Sequence, residues 1–219
     1  MATTAAGVIG GEWRERLPVL TGRRVTLREV SVADAASLFA FLATAEVSRF
    51  ITPPPDSVDG FERFIVWSQR QRAAGVYACF AVVVDGDGPA IGLIQVRQVD
   101  FACDTAEWGF ALGSPFWGTG VFPEAAAMVL AFSFDVLGVR RLEARAAVDN
   151  GRGTGALLKL GAVLEAVLPK SLNHGGDYLD QGLYAIQHDD WLEAHHEIPN
   201  SEYRIQSSEL PLDGTSVVG

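Results

Sequence analysis

Apolar positions along this chain repeat with two different periods. Over residues 104–112 large apolar residues alternate with small or charged ones, so Trp108, Phe110 and Leu112 share one face and Glu107, Gly109 and Ala111 the other. The same alternation predicts strands over residues 24–30, 77–84, 91–99 and 141–148, with a sixth strand over 162–169 and a seventh over 183–187. Between the first strands the spacing becomes helical. Ala35, Leu38, Phe41 and Leu42 form one stripe behind the cap-like Ser31-Val-Ala-Asp34, and Phe61, Phe64, Ile65 and Trp67 mark a second helix that ends near Gly75. Residues 123–137 are apolar almost all round, which predicts a helix buried against the sheet and stopped by Gly138. A short helix closed by Gly161 follows Asp149-Asn150.

The breaks in the pattern are as informative as the runs. Three consecutive prolines at 53–55 forbid a helix over residues 49–56 and predict a rigid loop. The DGDGP turn at 85–89 joins two strands into a hairpin; it lacks the twelve-residue spacing and terminal glutamate of a calcium loop. After the 104–112 strand comes a Gly113-Ser-Pro turn, then Trp117-Gly118-Thr119-Gly120 and a helix opening at Pro123-Glu124. Glycines followed by a helix start gather free backbone N–H groups at one point, which suits an anion, most often phosphate. A dinucleotide GxGxxG is excluded because Pro123 holds the third glycine position, and no Gly-Lys-Ser/Thr follows for a P-loop. The second glycine cluster, GRGTG at 151–155, precedes too short a run for a Rossmann crossover helix.

Composition narrows the picture further. The chain has 219 residues, 48% of them hydrophobic and 20% charged, which suits one soluble domain with a sizeable core. We read residues 1–18 as a flexible arm, 19–191 as the domain and 192–219 as an aperiodic tail. A net charge of −10 disfavours nucleic-acid partners and makes a cationic substrate electrostatically easier than an anionic one. No membrane-length apolar segment and no basic n-region occur, so the expectation is a cytoplasmic protein without a membrane partner. Cys79 and Cys103 lack CxxC spacing and are expected to be reduced and buried, and the four histidines never reach ligand spacing, so no metal is expected. His174 beside Gly-Gly reads as a surface-loop residue, and His195-His196 as part of the tail.

The stretch EWGFALGSPFWGTGVFPEA, followed by LGVRRLEARAAVDNGRGTGALLKLGA, resembles the core of the GNAT superfamily of N-acetyltransferases, closest to its RimJ/RimL-like branch. The likeness runs in order from about Leu20 to Trp191. It implies an α/β fold: a single mixed, mostly antiparallel twisted sheet of about seven strands flanked by helices, with a splayed central pair holding acyl-CoA. It implies acetyl-CoA as co-substrate, with backbone at Trp117, Gly118, Thr119, Gly120 and Val121 under the pyrophosphate, Phe110, Ala111 and Leu112 beside the pantetheine, and Asn150 contributing from the next strand end. The 49–56 loop would then form one wall of the acceptor channel.

The implied acceptor is a primary amine, either a small molecule or a protein N-terminus, and the sequence leaves the oligomeric state open, a homodimer among the options. An alkyl amine must lose a proton before attack, and Glu107, on the small-residue face, is the candidate base. The branch carries a serine where this chain has Gly153 and often a basic residue where it has Gly155. That leaves Thr154, Tyr184 or water as the general acid, and it raises the alternative of a non-catalytic acyl-CoA-binding module. A leaving thiol with a pKa of about 8.5 needs little help.

Overall fold

The computed structural model describes residues 12–100, 104–195 and 204–206. Nine strands form one sheet in the order β7-β8-β6-β5-β4-β3-β2-β1-β9. They are β1 (Val19–Thr21), β2 (Val25–Glu29), β3 (Tyr77–Val84), β4 (Gly92–Asp100), β5 (Thr105–Leu112), β6 (Arg141–Ala147), β7 (Val163–His174), β8 (Asp177–Gln187) and β9 (Arg204–Gln206). The helices are α1 (Ala35–Leu42), α2 (Ala45–Ser48), α3 (Val58–Ala73), α4 (Val121–Asp135), α5 (Gly151–Lys159) and α6 (His188–His195). The seven strands expected from alternation are all present, and two three-residue strands extend one edge.

Every neighbouring pair is antiparallel except β5 and β6. That parallel pair is short, holding only Thr105–Glu107 against Arg141–Glu143. Beyond Glu107 and Glu143 each strand continues while its ladder to the other has ended, so the sheet opens between them. This is the splayed central pair that the resemblance implied.

Helices cover both faces. On one, α4 lies against Phe80, Ile94, Trp108 and Leu142, with Phe80 meeting Phe132 edge-on at 5.1 Å. On the other, α1 and α3 bury Leu38, Phe61 and Ile65 with Cys79 and Leu93. Alternation along β5 divides it between the two: Trp108 and Leu112 go to the α4 side, Ala111 to the α1 and α3 side. Burial pushes the Cys79 thiol pKa well above its ordinary value, so Cys79 is an inert core residue. Cys103 lies outside the described residues.

Several boundaries differ from the sequence reading. Residues 12–18, expected in the flexible arm, are packed: a short turn at Glu12–Arg14 puts Trp13 and Leu17 into the core, at 6% and 2% exposure. Two apolar anchors in seven residues produce no readable period. Helix α4 starts at Val121, two residues before the proline, because Gly120 at φ +88° caps it. At the other end, α6 carries helix past Trp191, and Arg204–Gln206 pairs with β1, so the tail supplies an edge strand. Among the described residues no helix is long and apolar enough to cross a membrane.

Candidate active site

A cavity of about 1070 Å³ opens where β5 and β6 separate. The end of β5 contributes Phe110, Ala111 and Leu112, and the loop into α4 contributes Trp117, Gly118 and Gly120. Helix α5 supplies Arg152, Ala156 and Lys159, while α2 and the turn after it supply Glu46, Val47, Arg49, Phe50 and Ile51.

The glycine loop is shaped by its backbone. Gly118 sits at φ +74° and Gly120 at φ +88°, left-handed angles that other residues adopt only at a cost of about 1–2 kcal/mol. No side chain caps the start of α4, so the first helical N–H groups remain available at the cavity. The loop is braced from two sides. Thr119 Oγ1 donates to the Phe116 carbonyl at 2.7 Å, and Arg24 Nη1 donates to the Thr119 carbonyl at 3.3 Å. Behind it, Glu124 Oε1 accepts from the Arg24 and Val25 N–H groups at 2.9 and 3.2 Å. At Gly22 a β-carbon would come within 2.3 Å of that oxygen, so glycine there permits the approach.

Trp117 ties the end of β5 to α5. Its Nε1–H donates to the Leu112 carbonyl at 2.8 Å, fixing the indole against the end of β5. The Arg152 guanidinium lies 3.8 Å from the ring centroid, a cation-π contact that holds a positive charge on the cavity wall. Lys159, two helical turns on, adds another. A chain of net charge −10 thus concentrates cations around an uncapped helix start, which is the electrostatic complement of phosphate.

Of the residues singled out from the sequence, Phe110, Ala111, Leu112, Trp117, Gly118, Gly120 and Asn150 line the cavity. Thr119 and Val121 do not: the first spends its hydroxyl on Phe116, and the second, the first residue of α4, has its side chain buried in the core. Asn150 has a second task, since its Oδ1 caps α5 by accepting the Gly153 N–H at 3.0 Å. A β-carbon at Gly153 would lie 2.5 Å from the Asn150 Nδ2, so glycine in place of the usual serine lets the amide fold over the helix start.

The three catalytic candidates are not brought to the cavity. Glu107 shares a sheet face with Ala111 but is four residues away, roughly 13 Å along the strand, and its Oε2 accepts from Arg97 Nη2 at 2.9 Å on β4. Thr154 lies on the side of α5 away from the cavity, with Oγ1 donating to the Gly151 carbonyl at 3.3 Å. Tyr184 is a core residue at 6% exposure, facing Ala144 and Leu164 across β8. A two-residue strand period gives the correct face but not the distance to an opening that lies further along.

Sequence reasoning missed Glu46, Arg152 and Lys159, and reached Arg49 only as part of the 49–56 loop. Nothing local distinguishes them from solvated helix charges, although Lys159 stands in the LKLG run that carried the resemblance. His174 is at the tip of the β7–β8 hairpin, its Nδ1 3.3 Å from the Ile51 carbonyl, and so touches the turn after α2 without lining the cavity.

A splayed parallel pair, a glycine loop under an uncapped helix and a cationic flank thus meet at one cavity. The family model described as "Acetyltransferase (GNAT) domain" matches residues 24–163, and the chain belongs to that family and is an acyltransferase. The uncharacterized N-acetyltransferase YoaA of Bacillus subtilis (strain 168) is 26% identical over 174 residues, covering 77% of this chain and 96% of that protein. Among solved structures, Mycobacterium smegmatis RimJ in complex with CoA-disulfide superposes with a TM-score of 0.71 at 22% identity, covering 82% of this chain and 93% of that one. A ribosomal-protein-S5-alanine acetyltransferase from Vibrio fischeri does so with a TM-score of 0.71 at 18% identity, covering 79% and 98%.

Proposed function

We propose that the protein transfers an acetyl group from acetyl-CoA to a primary amine by direct attack. The observation that carries this reading is the meeting of the uncapped α4 start with Arg152 and Lys159 at the opening between β5 and β6. The pyrophosphate would rest on the N–H groups around Gly118 and Gly120, where the positions a β-carbon would take are open. Arg152 and Lys159 would supply the charge that Gly155 does not. The thioester would lie beside Phe110 to Leu112, where backbone N–H groups on the side that lacks a ladder partner can polarise its carbonyl.

The amine loses its proton, its lone pair attacks the thioester carbonyl, and the C–S bond breaks to release CoA thiolate, which is then protonated. For the first step the geometry favours Glu46, the single carboxylate among the cavity residues, over Glu107, which is committed to Arg97. The test is release of free CoA from acetyl-CoA across a panel of amines. Tight binding of acetyl-CoA with no release for any amine would instead favour the non-catalytic binding module.

A further inference from the structure

Two exposed charges of opposite sign line the cavity on the α2 side. Glu46 and Arg49 stand three residues apart on α2 and the residue after it, a spacing at which opposite charges on a helix ordinarily pair. Among the described residues neither makes an ion pair. Arg49 instead lies over the Phe50 ring at 5.0 Å, and both charged residues line the cavity. Val47, Phe50 and Ile51 beside them make the rest of that wall apolar.

Building on the donor reading above, we propose that the acceptor is a zwitterionic amine, an α-amino acid with an apolar side chain. Its ammonium pairs with Glu46, its carboxylate with Arg49, and its side chain lies against Val47, Phe50 and Ile51. The charge count argues for this class over the others. The lining residues carry one acid against Arg49, Arg152 and Lys159. Once the donor's phosphates have met Arg152 and Lys159, one negative and one positive group remain. A polyamine would satisfy Glu46 and then set further ammonium groups against Arg49. A simple monoamine, or a peptide N-terminus whose carboxylate has become an amide, would leave Arg49 without a counter-charge and forgo the pairing that a free carboxylate gains.

One ammonium proton passes through Glu46 to water, the C–N bond forms as the C–S bond breaks, and a second proton lost from the nitrogen ends on the thiolate sulfur, giving an N-acetyl amino acid and free CoA.

The experiment measures CoA release from acetyl-CoA with L-phenylalanine, L-leucine and L-methionine, their amides, a phenylalanine-initiated hexapeptide, 2-phenylethylamine and spermidine. At least one free amino acid should exceed its amide by about tenfold or more in kcat/KM. Arg49→Gln should erase that preference while acetyl-CoA affinity, measured by calorimetry, stays within about twofold. Glu46→Gln should lower kcat/KM for every amine. A preference for the amides, the hexapeptide or spermidine would overturn the proposal, as would a preference that survives in Arg49→Gln. A wild-type protein that binds acetyl-CoA and acetylates none of these compounds would overturn it and leave the donor reading standing. Failure to bind acetyl-CoA would sink the donor reading itself.

Discussion

Glu124 at the start of α4 and Arg24 at the β1–β2 turn, one hundred residues apart in the chain, hold the glycine loop between them: Glu124 Oε1 accepts the Arg24 N–H at 2.9 Å, and the Arg24 guanidinium reaches the Thr119 carbonyl at 3.3 Å. On the proposed donor reading, Glu124 is a positioning residue for the loop. Glu124→Ala removes two charge-assisted hydrogen bonds and should weaken acetyl-CoA binding by about tenfold. Glu124→Gln keeps an acceptor oxygen in place and should restore affinity to within a fewfold. Calorimetric titration of both variants decides the matter, and an alanine variant that is folded and binds as wild type would refute the role.

Gly120→Val should weaken acetyl-CoA binding by more than tenfold while lowering Tm only slightly. A β-carbon there meets no atom within 4 Å, so the cost is conformational: a β-branched residue resists φ +88° and drags the loop out of shape. Unchanged affinity in the folded variant would remove the loop from the donor site.

Arg152→Gln should raise the acetyl-CoA dissociation constant about five- to tenfold and flatten its dependence on salt, since one cation on the cavity wall is lost from its place over Trp117. Binding measured at low and high ionic strength checks both effects. An identical salt slope in the variant would place Arg152 outside the phosphate contacts.

Glu107→Gln should leave kcat within about threefold, because the carboxylate is paired with Arg97 and lies off the cavity wall. A fall of about 10²- to 10⁴-fold, partly recovered at higher pH, would instead establish Glu107 as the base acting through water.

Asp34 is buried at 4% exposure and takes two contacts from Arg28 at 2.6 and 2.7 Å and the Ser31 N–H at 2.8 Å. Burial alone would raise its pKa; the bonds from Arg28 and Ser31 outweigh it and hold the carboxyl below its ordinary value. Its contribution to stability is thus fully present above the unfolded-state pKa of about 3.9 and is lost as pH falls through the lower folded value. Asp34→Asn should cost roughly 2 kcal/mol at pH 7, and the gap to wild type should close below about pH 4. Denaturant unfolding at pH 7 and pH 3 tests this; a gap of equal size at both would contradict the sign.

By itself the sequence determined the seven longer strands and the glycine positions of the loop before α4, because both depend on local rules. A two-residue period assigns faces within any strand of sufficient length, and left-handed angles at Gly118 and Gly120 require glycine wherever the loop ends up. The charges around the cavity were not legible in the same way. Glu46 looks like an ordinary helix charge until the fold places α2 against the same opening as α5, and Trp117 and Arg152 become partners only across thirty-five residues of chain. Distance along a strand likewise separated Glu107 from the opening it faces. Tertiary structure alone decided these points, because which charges share a cavity depends on the splay between β5 and β6, and that splay is a property of ladder pairing rather than of either strand's sequence.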